Sequence, residues 1–222
     1  MNSQITDVIF DLDGTLIDSA PSILACFAET LAAQGIAPVL PLTDALIGPP
    51  LRDTLRRLSG VEEAGRLEIM IENFKERYDF SGYKATVVFS GVDEMLRELR
   101  DAGMRLHIAT NKRLRPTRLI LSHLGWTDLF GAVYALDFRT PSFRSKSEML
   151  SELVQAEGIT RSRAVYVGDR RDDRTAAADN ALGFIAAAWG YRDEEMLIGN
   201  EQAISAENPT RIHQMLACNF PS

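Results

Sequence analysis

The 222-residue sequence has few of the side chains that build disulfide frameworks or thiolate and imidazole metal sites. Its two cysteines, Cys26 and Cys218, stand far apart with no metal-binding spacing, so neither a disulfide framework nor a zinc site is predicted. The three histidines, His107, His123 and His213, are equally scattered and form no ligand pair. We therefore expect none of the three to be catalytic.

Long apolar runs and an excess of positive charge are also missing. Even the apolar stretch at residues 184–189 is far shorter than the roughly 18 residues of a membrane-spanning helix. The first residues, MNSQITDV, have neither the basic start nor the apolar core of an export signal. A formal net charge of −7 argues against the basic surface that nucleic acids and acidic membranes require. We expect a cytoplasmic protein that binds neither.

The sequence does contain short apolar runs and helical stretches of the kind that form a hydrophobic core. Short apolar runs rich in β-branched residues recur and alternate, in the second half of the chain, with stretches of helical periodicity such as VDEMLRELRDAG. The predicted strands are residues 5–10, 104–110, 131–136, 163–168 and 183–188. This alternation predicts an α/β fold, with a doubly wound parallel sheet covered by helices on both faces.

One segment interrupts the alternation. Between about residues 21 and 83 the sequence has helical patterns and a Pro/Gly-rich stretch but no convincing strand. An all-helical insertion after the first strand is the simplest interpretation. We expect a core of residues 1–17 and 86–222 and a helical insertion at residues 18–85.

The first predicted strand runs directly into two carboxylates, Asp11 and Asp13. In an extended chain these two side chains project to the same side, and ligands of open parallel sheets bind at the carboxyl ends of the strands. A turn or a helix cap is the alternative explanation, since Asp is common in both.

A second acidic group follows the predicted strand at residues 163–168. Asp169 comes directly after it, and Asp172 and Asp173 fall in the first turn of the next helix, where capping alone would explain them. Two carboxylate groups facing one crevice would repel each other unless a cation lay between them. Mg²⁺ is the cation that prefers such oxygen ligands.

Two further segments suit an anion. Thr110 and Asn111 end a predicted strand near a helix start, where backbone N–H groups can hold an anion, although a simple turn is the alternative. Ser145 and Glu148 have capping-box spacing, which places Lys146 in the first helical turn. A cation is electrostatically unfavourable there unless it reaches a phosphate in the crevice, but an exposed lysine would lose little.

Together the ordered segments DLDGTLID, IATNK, Lys146 and VGDRRDD resemble the motifs of the haloacid dehalogenase superfamily of phosphotransferases. The resemblance covers nearly the whole chain and implies a Rossmann-like core. It likens the helical insertion to the cap domain that phosphoglycolate-phosphatase-like members carry after their first strand. The segment ENPTRI at residues 207–212 likewise resembles the start of that family's final helix.

The resemblance implies a role for each strand-end residue. Asp11 would be the nucleophile and Asp13 the general acid and base. Thr110, Asn111 and Lys146 would hold the transferring phosphoryl group.

The same resemblance implies a Mg²⁺ cofactor, held by Asp11, the backbone carbonyl of Asp13, and Asp169, with Asp173 in support. The cation and Lys146 would neutralise a dianionic ester so that a carboxylate can attack it. Asp13 could then protonate the leaving oxygen and later accept a proton from the hydrolytic water.

Two positions depart from the common family pattern. Arg170 stands where many relatives have Ser or Thr, and Ser147 where many have Pro. Both departures resemble nucleotidase-like members, which weakens a phosphoglycolate assignment more than a phosphatase assignment. The simplest expectation for Arg170 and Arg171 is that both are solvated at the helix start and paired with Asp172 or Asp173.

Substrate choice should lie with the helical insertion, because its closure would cover the site. In the segment LIGPPLRDTL, Arg52 is the expected substrate contact, although a surface position explains it equally well.

The predicted function is Mg²⁺-dependent hydrolysis of a small phosphomonoester, phosphoglycolate or nucleotide-like, through an aspartyl-phosphate intermediate. Dehalogenases and phosphonate hydrolases of the superfamily would lack an acid at the position of Asp13. A sugar phosphomutase keeps both acids and is the alternative. A phospho-acceptor signalling domain is a remoter one, because such domains are shorter and carry no helical cap. The oligomeric state, monomer or homodimer, is left open.

Overall fold

The computed structural model describes residues 4–191 and 204–217. In chain order the strands are β1 (Asp7–Phe10), β2 (Ile17–Asp18), β3 (Val87–Val88), β4 (Arg105–Thr110), β5 (Ala132–Ala135), β6 (Ala164–Gly168), β7 (Gly183–Ala187) and β8 (Ile204–Ala206). The helices are α1 (Ala20–Ala33), α2 (Leu51–Ser59), α3 (Ala64–Phe80), α4 (Val92–Asp101), α5 (Leu114–His123), α6 (Lys146–Ala156), α7 (Arg171–Asp179) and α8 (Thr210–Ala217).

Six strands form one parallel sheet in the order β5-β4-β1-β6-β7-β8. Strand β1 lies in the middle, where it pairs with β4 on one side and β6 on the other. All five predicted strands are present, each shorter than predicted by one or two residues. The predicted α/β class with a doubly wound parallel sheet is confirmed.

Helices cover both faces of the sheet because its central strands are apolar on both sides. Val8 and Phe10 of β1 belong to the core beneath α4, α5 and α8, whereas Ile9 between them belongs to the core beneath α6 and α7. This alternation follows the two-residue period of a strand. The sheet is therefore packed against helices on both faces.

Helices α1 to α3 lie between β2 and β3 and share a third apolar cluster, which includes Phe27, Leu55 and Phe74. No strand occurs between residues 21 and 83, which were all described, as predicted. The two-residue strands β2 and β3 pair antiparallel where the chain enters and leaves this segment. That pair and β8 were not predicted, and the domain boundaries at 17/18 and 85/86 stay a prediction.

Within the described ranges, no helix combines the length and the apolarity that crossing a membrane requires.

Candidate active site

The sheet brings the predicted strand-end residues together. Asp11 follows β1, Thr110 ends β4 and Asp169 follows β6, and β1 is hydrogen-bonded to both of the other strands. All three side chains are buried. The site is thus assembled at the carboxyl edge, where parallel strands place their ligands.

Three buried carboxylates lie next to one another. Asp11, Asp169 and Asp173 each offer an oxygen, and these atoms all lie within 4.8 Å of one another. Burial, with a further contribution from the charges of Asp173 and Asp13, raises the pKa of Asp11 to about 7 despite the lowering effect of Lys146. Burial and the same crowding of acids hold the pKa of Asp169 well above its usual range. Such a cluster is stabilised by a cation.

The donor set fits Mg²⁺, which takes oxygen ligands from carboxylates and carbonyls. Oδ1 of Asp11 is buried and has the Lys146 ammonium group 3.2 Å away, but it accepts no hydrogen bond from any described residue, so it has capacity for a ligand. Asp169 is held in place by the Thr15 hydroxyl, 3.2 Å from Oδ1, and by the Tyr191 backbone N–H, 2.9 Å from Oδ2.

Helix α6 places Lys146 in this cluster. Ser145 is the N-cap, as predicted, and its hydroxyl accepts a hydrogen bond of 3.1 Å from the backbone N–H of Glu148. The Lys146 ammonium group is buried, 2.5 Å from Asp173 Oδ1 and 3.2 Å from Asp11 Oδ1. Burial opposes its charge, but these carboxylates raise the pKa of Lys146 overall. A cation at a helix N-terminus is therefore compensated by two acids.

Asp173 already uses both of its carboxylate oxygens. Oδ2 accepts from the backbone N–H groups of Asp169 and Arg170, at 3.0 and 2.8 Å. Oδ1 accepts from Lys146 and, at 3.3 Å, from the Tyr166 hydroxyl. These bonds orient Lys146 and the loop that carries Asp169.

Thr110 and Asn111 lie at the end of β4 as predicted. The Thr110 hydroxyl accepts a hydrogen bond of 3.2 Å from the backbone N–H of Lys112, which is the turn considered as the alternative. The Asn111 amide donates to Asp172 at 3.0 Å. Both residues line the same cavity as Asp11. The turn at this position therefore does not exclude a role in binding a ligand.

Lys112 was quoted in the motif but given no role by the sequence. Its buried ammonium group lies 3.0 and 3.1 Å from the two carboxylate oxygens of Asp13 and 4.7 Å from the centre of the Tyr78 ring. The Ser19 hydroxyl donates to Asp13 at 2.5 Å. Asp13 is thus fixed by two neighbours, one of which lies 99 residues away in sequence.

Tyr191 is a second residue that sequence reasoning missed. Besides donating its backbone N–H to Asp169, it accepts hydrogen bonds through its hydroxyl from the backbone N–H groups of Ser19 and Ala20, at 2.7 and 2.9 Å. The hydroxyl also donates to Asp18 at 2.7 Å. Tyr191 therefore connects the acidic cluster to the start of the helical insertion, and no sequence signal marks a contact over that distance.

The expectation that Arg170 is solvated is wrong. Its side chain is buried, and its guanidinium donates a hydrogen bond of 2.8 Å to the backbone carbonyl of Asp44 in the helical insertion. The reason is that the loop after β6 faces the insertion rather than solvent. Arg171, the next residue, is exposed as expected.

A cavity of about 320 Å³ lies between the sheet edge and the helical insertion. Asp11, Asp13, Thr110 and Asn111 line it together with other core residues at positions 112–137 and with residues of the insertion. Arg52 lies on this wall, half-exposed and ion-paired with Glu68. A small molecule in this cavity would contact both the acids and the insertion.

Several known proteins are similar to this chain. The chain is 35% identical over 185 residues to the tyrosine-protein kinase PtkA of Mycobacterium tuberculosis, a match that covers 83% of this chain and 62% of that protein. The chain thus spans less than two thirds of the length of PtkA.

Shorter relatives match along most of their length. A 5'-nucleotidase of Pseudomonas aeruginosa is 30% identical over 205 residues, which are 92% of this chain and 89% of that protein. A phosphoglycolate phosphatase of Xylella fastidiosa is 37% identical over 194 residues, covering 85% and 82%. Among solved structures, a predicted phosphatase from Clostridium acetobutylicum superposes with a TM-score of 0.85 at 25% identity, covering 97% of this chain and 99% of that one.

The family model described as haloacid dehalogenase-like hydrolase matches residues 8–187. This range includes all the site residues predicted from the sequence, from Asp11 to Asp173, and most of the sheet that positions them. The resemblance seen in the motifs is confirmed: the chain belongs to the haloacid dehalogenase-like hydrolase family.

Proposed function

We propose that this protein is a Mg²⁺-dependent phosphatase that hydrolyses a small phosphomonoester, phosphoglycolate or nucleotide-like, through an aspartyl-phosphate intermediate on Asp11. The observation that carries the proposal is the arrangement of Asp11 and Asp13 on the wall of a cavity, with Lys146 and two further acids beside Asp11. Relatives named as a 5'-nucleotidase and a phosphoglycolate phosphatase support the reaction class.

Asp11, Asp169 and the backbone carbonyl of Asp13 are the groups we assign to the metal, with Asp173 in support. When bound there, Mg²⁺ would supply positive charge that offsets the charge of the ester and of the clustered acids. Asp173 acts mainly through Lys146, because its oxygens already accept hydrogen bonds.

In the first step an Asp11 carboxylate oxygen attacks phosphorus. The bond from phosphorus to the ester oxygen breaks, and that oxygen takes a proton from Asp13. Thr110, Asn111 and Lys146 hold the phosphoryl oxygens during the transfer, which needs mainly positioning and charge stabilisation.

In the second step a water molecule attacks the phosphorus of the aspartyl phosphate. Asp13 accepts the proton of that water, the bond to the Asp11 oxygen breaks, and inorganic phosphate leaves. Lys112 holds the Asp13 carboxylate through both of its oxygens and so keeps it directed at the cavity. We assign residues 18–85 as the cap that covers the site.

Phosphate release tests this proposal. Wild type, Asp11→Asn and the control Asp101→Asn, an exposed acid, are assayed on phosphoglycolate, nucleoside monophosphates, sugar phosphates and an aryl phosphate, with Mg²⁺ and with chelator. We expect Mg²⁺-dependent release that Asp11→Asn loses and Asp101→Asn keeps. In Asp13→Asn a phosphoryl group labelled in the aryl phosphate should stay covalently bound, because an aryl oxygen can leave without the Asp13 proton whereas the second step lacks its base.

Release that persists in Asp11→Asn or with chelator would refute the mechanism. Transfer of the label to a second sugar phosphate instead of water would indicate a mutase.

A further inference from the structure

Away from Asp11 and Asp13, the wall of the active-site cavity includes a large group of apolar side chains. The residues of the helical insertion that form it include Ile23, Phe27, Leu46, Ile47, Ile71 and Phe74. Phe27 packs on Phe74 with ring centres 4.7 Å apart, and Phe74 stacks on Tyr78 at 5.6 Å. Binding sites of this kind take up the apolar body of a ligand and use a few polar groups to orient it.

The cationic side chains that line the cavity are all paired with acids of the protein. The four pairs are Arg52 with Glu68, Lys75 with Glu72, Lys112 with Asp13, and Arg113 with Asp79. Among the described residues that line this cavity, none is therefore a cation without an acidic partner.

Acids balance the cations on the cavity wall as well. Glu68, Glu72 and Asp137 also line the cavity, alongside Arg52, Lys75 and Arg113. A second anionic group on the substrate would have to displace a protein carboxylate from its cation and then lie beside that carboxylate. Burying an anion in this way is unfavourable.

We infer that the substrate is a phosphomonoester whose alcohol is uncharged and presents a flat apolar face, rather than a hydroxy acid such as glycolate. The inference rests on the proposed function and narrows its substrate class. A nucleoside and a simple aryl alcohol share this chemistry. Either could contact more of that aromatic wall than the two-carbon glycolate could reach.

A matched pair of substrates tests the charge. Phenyl phosphate and 4-carboxyphenyl phosphate differ by one carboxylate and have the same ring. With Mg²⁺ and the wild-type chain, we expect kcat/KM to be about 10- to 100-fold lower for the carboxylated ester, and phosphoglycolate to be as poor. A nucleoside 5'-monophosphate in the same series shows whether the apolar face is that of a nucleoside or of a simple aryl group.

A variant tests whether the acids on the cavity wall cause the discrimination against the carboxylated ester. Glu68→Gln removes the acid that pairs with Arg52 and alters an exposed side chain, so it should fold. The ratio of kcat/KM for the carboxylated over the plain ester should rise several-fold. Glu76→Gln makes the same charge change at an exposed position of α3 that does not line the cavity, and should leave the ratio unchanged.

Binding to Asp11→Asn separates this inference from the proposed function. Suppose that wild type hydrolyses no ester, but that phenyl phosphate binds to Asp11→Asn at least about tenfold more tightly than its carboxylated analogue does. The phosphatase proposal then fails and the inference holds. If esters are hydrolysed and the carboxylated one or phosphoglycolate is preferred, the inference fails and the phosphatase proposal holds. Equal binding of the two aryl esters, without hydrolysis, would overturn both.

Discussion

At the scale of single residues, the contact of Lys112 with Asp13 should affect the stability of the folded chain as well as the candidate active site. Burial lowers the pKa of Lys112, but the charge of Asp13 and the Tyr78 hydroxyl raise it by more, so the Lys112 ammonium group keeps its charge. When one partner of a buried ion pair is removed, the charge that remains has no compensation. Removal of both charges costs less.

Lys112→Met should therefore lower the free energy of unfolding by about 3 kcal/mol, measured by urea denaturation without metal. The double variant Lys112→Met/Asp13→Asn should recover part of that loss. Lys84→Met, at an exposed lysine, should change the free energy by less than about 0.5 kcal/mol. A double variant less stable than Lys112→Met would argue against an energetically coupled pair.

The raised pKa of Asp11 makes stability without metal depend on pH. Asp11 has a pKa of about 7 in the folded chain against an ordinary value of 3.8, so the folded state holds the proton more strongly. Its contribution is fully present below pH 4 and is lost as pH rises through 7. In chelator, the free energy of unfolding of wild type should fall over this range relative to Asp11→Asn, by on the order of a few kcal/mol.

Urea unfolding at pH 5, 6, 7 and 8 measures this difference. Asp11→Asn should be the more stable of the two at pH 8, and Mg²⁺ should stabilise wild type more at pH 8 than at pH 5. Parallel pH profiles for the two chains would contradict the raised pKa.

At the scale of structural elements, the turn after β1 depends on a glycine. Gly14 has a φ of +86°, and a Cβ there would lie 2.3 Å from Asp169 Oδ2. Gly103, in the turn before β4, has a φ of +81° but nothing within 4 Å of the same atom. A side chain at either position would have the cost of a left-handed backbone, but only at Gly14 would it also meet Asp169, an acid that we assign to the metal.

Alanine at each position separates these effects. Gly14→Ala and Gly103→Ala should each lose about 1 kcal/mol of stability from the backbone alone. Only Gly14→Ala should also lose at least about tenfold in affinity for Mg²⁺, measured by calorimetry, because Asp169 must move. Equal Mg²⁺ affinity in both variants would show that Asp169 does not bind the metal.

Strands and helices could be predicted from the sequence where their pattern of apolar residues extends over enough positions. The five main strands are apolar runs of four or more residues, and helix α4 shows helical periodicity. The pair β2 and β3 has two residues in each strand, and β8 has three, which is too short for a recognisable run. The N-cap at Ser145 was found because capping is a local interaction with a fixed spacing.

For the whole molecule, the limit of prediction lies in contacts between distant segments. Strand-end positions brought Asp11, Thr110 and Asp169 to one edge, because parallel strands align their carboxyl ends. The roles of Lys112, Arg170 and Tyr191 depend on how the helical insertion packs on the core. Nothing local in their neighbourhoods indicates that packing.

Polar contacts between described residues join the helical insertion to the core. The pair of Arg113 and Asp79 is one of them and has two hydrogen bonds. Arg113, before α5, donates to both oxygens of Asp79 at the end of α3, at 2.6 and 3.0 Å, and both side chains are largely buried. Arg115 also faces Asp79, at 3.6 Å, but its side chain is 77% exposed. One carboxylate thus has a strong and a weak partner.

If closure of the insertion completes the site, Arg113→Gln should favour the open form and weaken substrate binding. We expect KM to rise about tenfold with a smaller change in kcat, and the chain between the insertion and the core to be cleaved faster by protease. Arg115→Gln should change KM by less than about twofold, since exposed ion pairs contribute little. If the two variants raise KM equally, the effect comes from the loss of positive charge near Asp79. The hydrogen-bonded pair with Arg113 would then not be what holds the insertion closed.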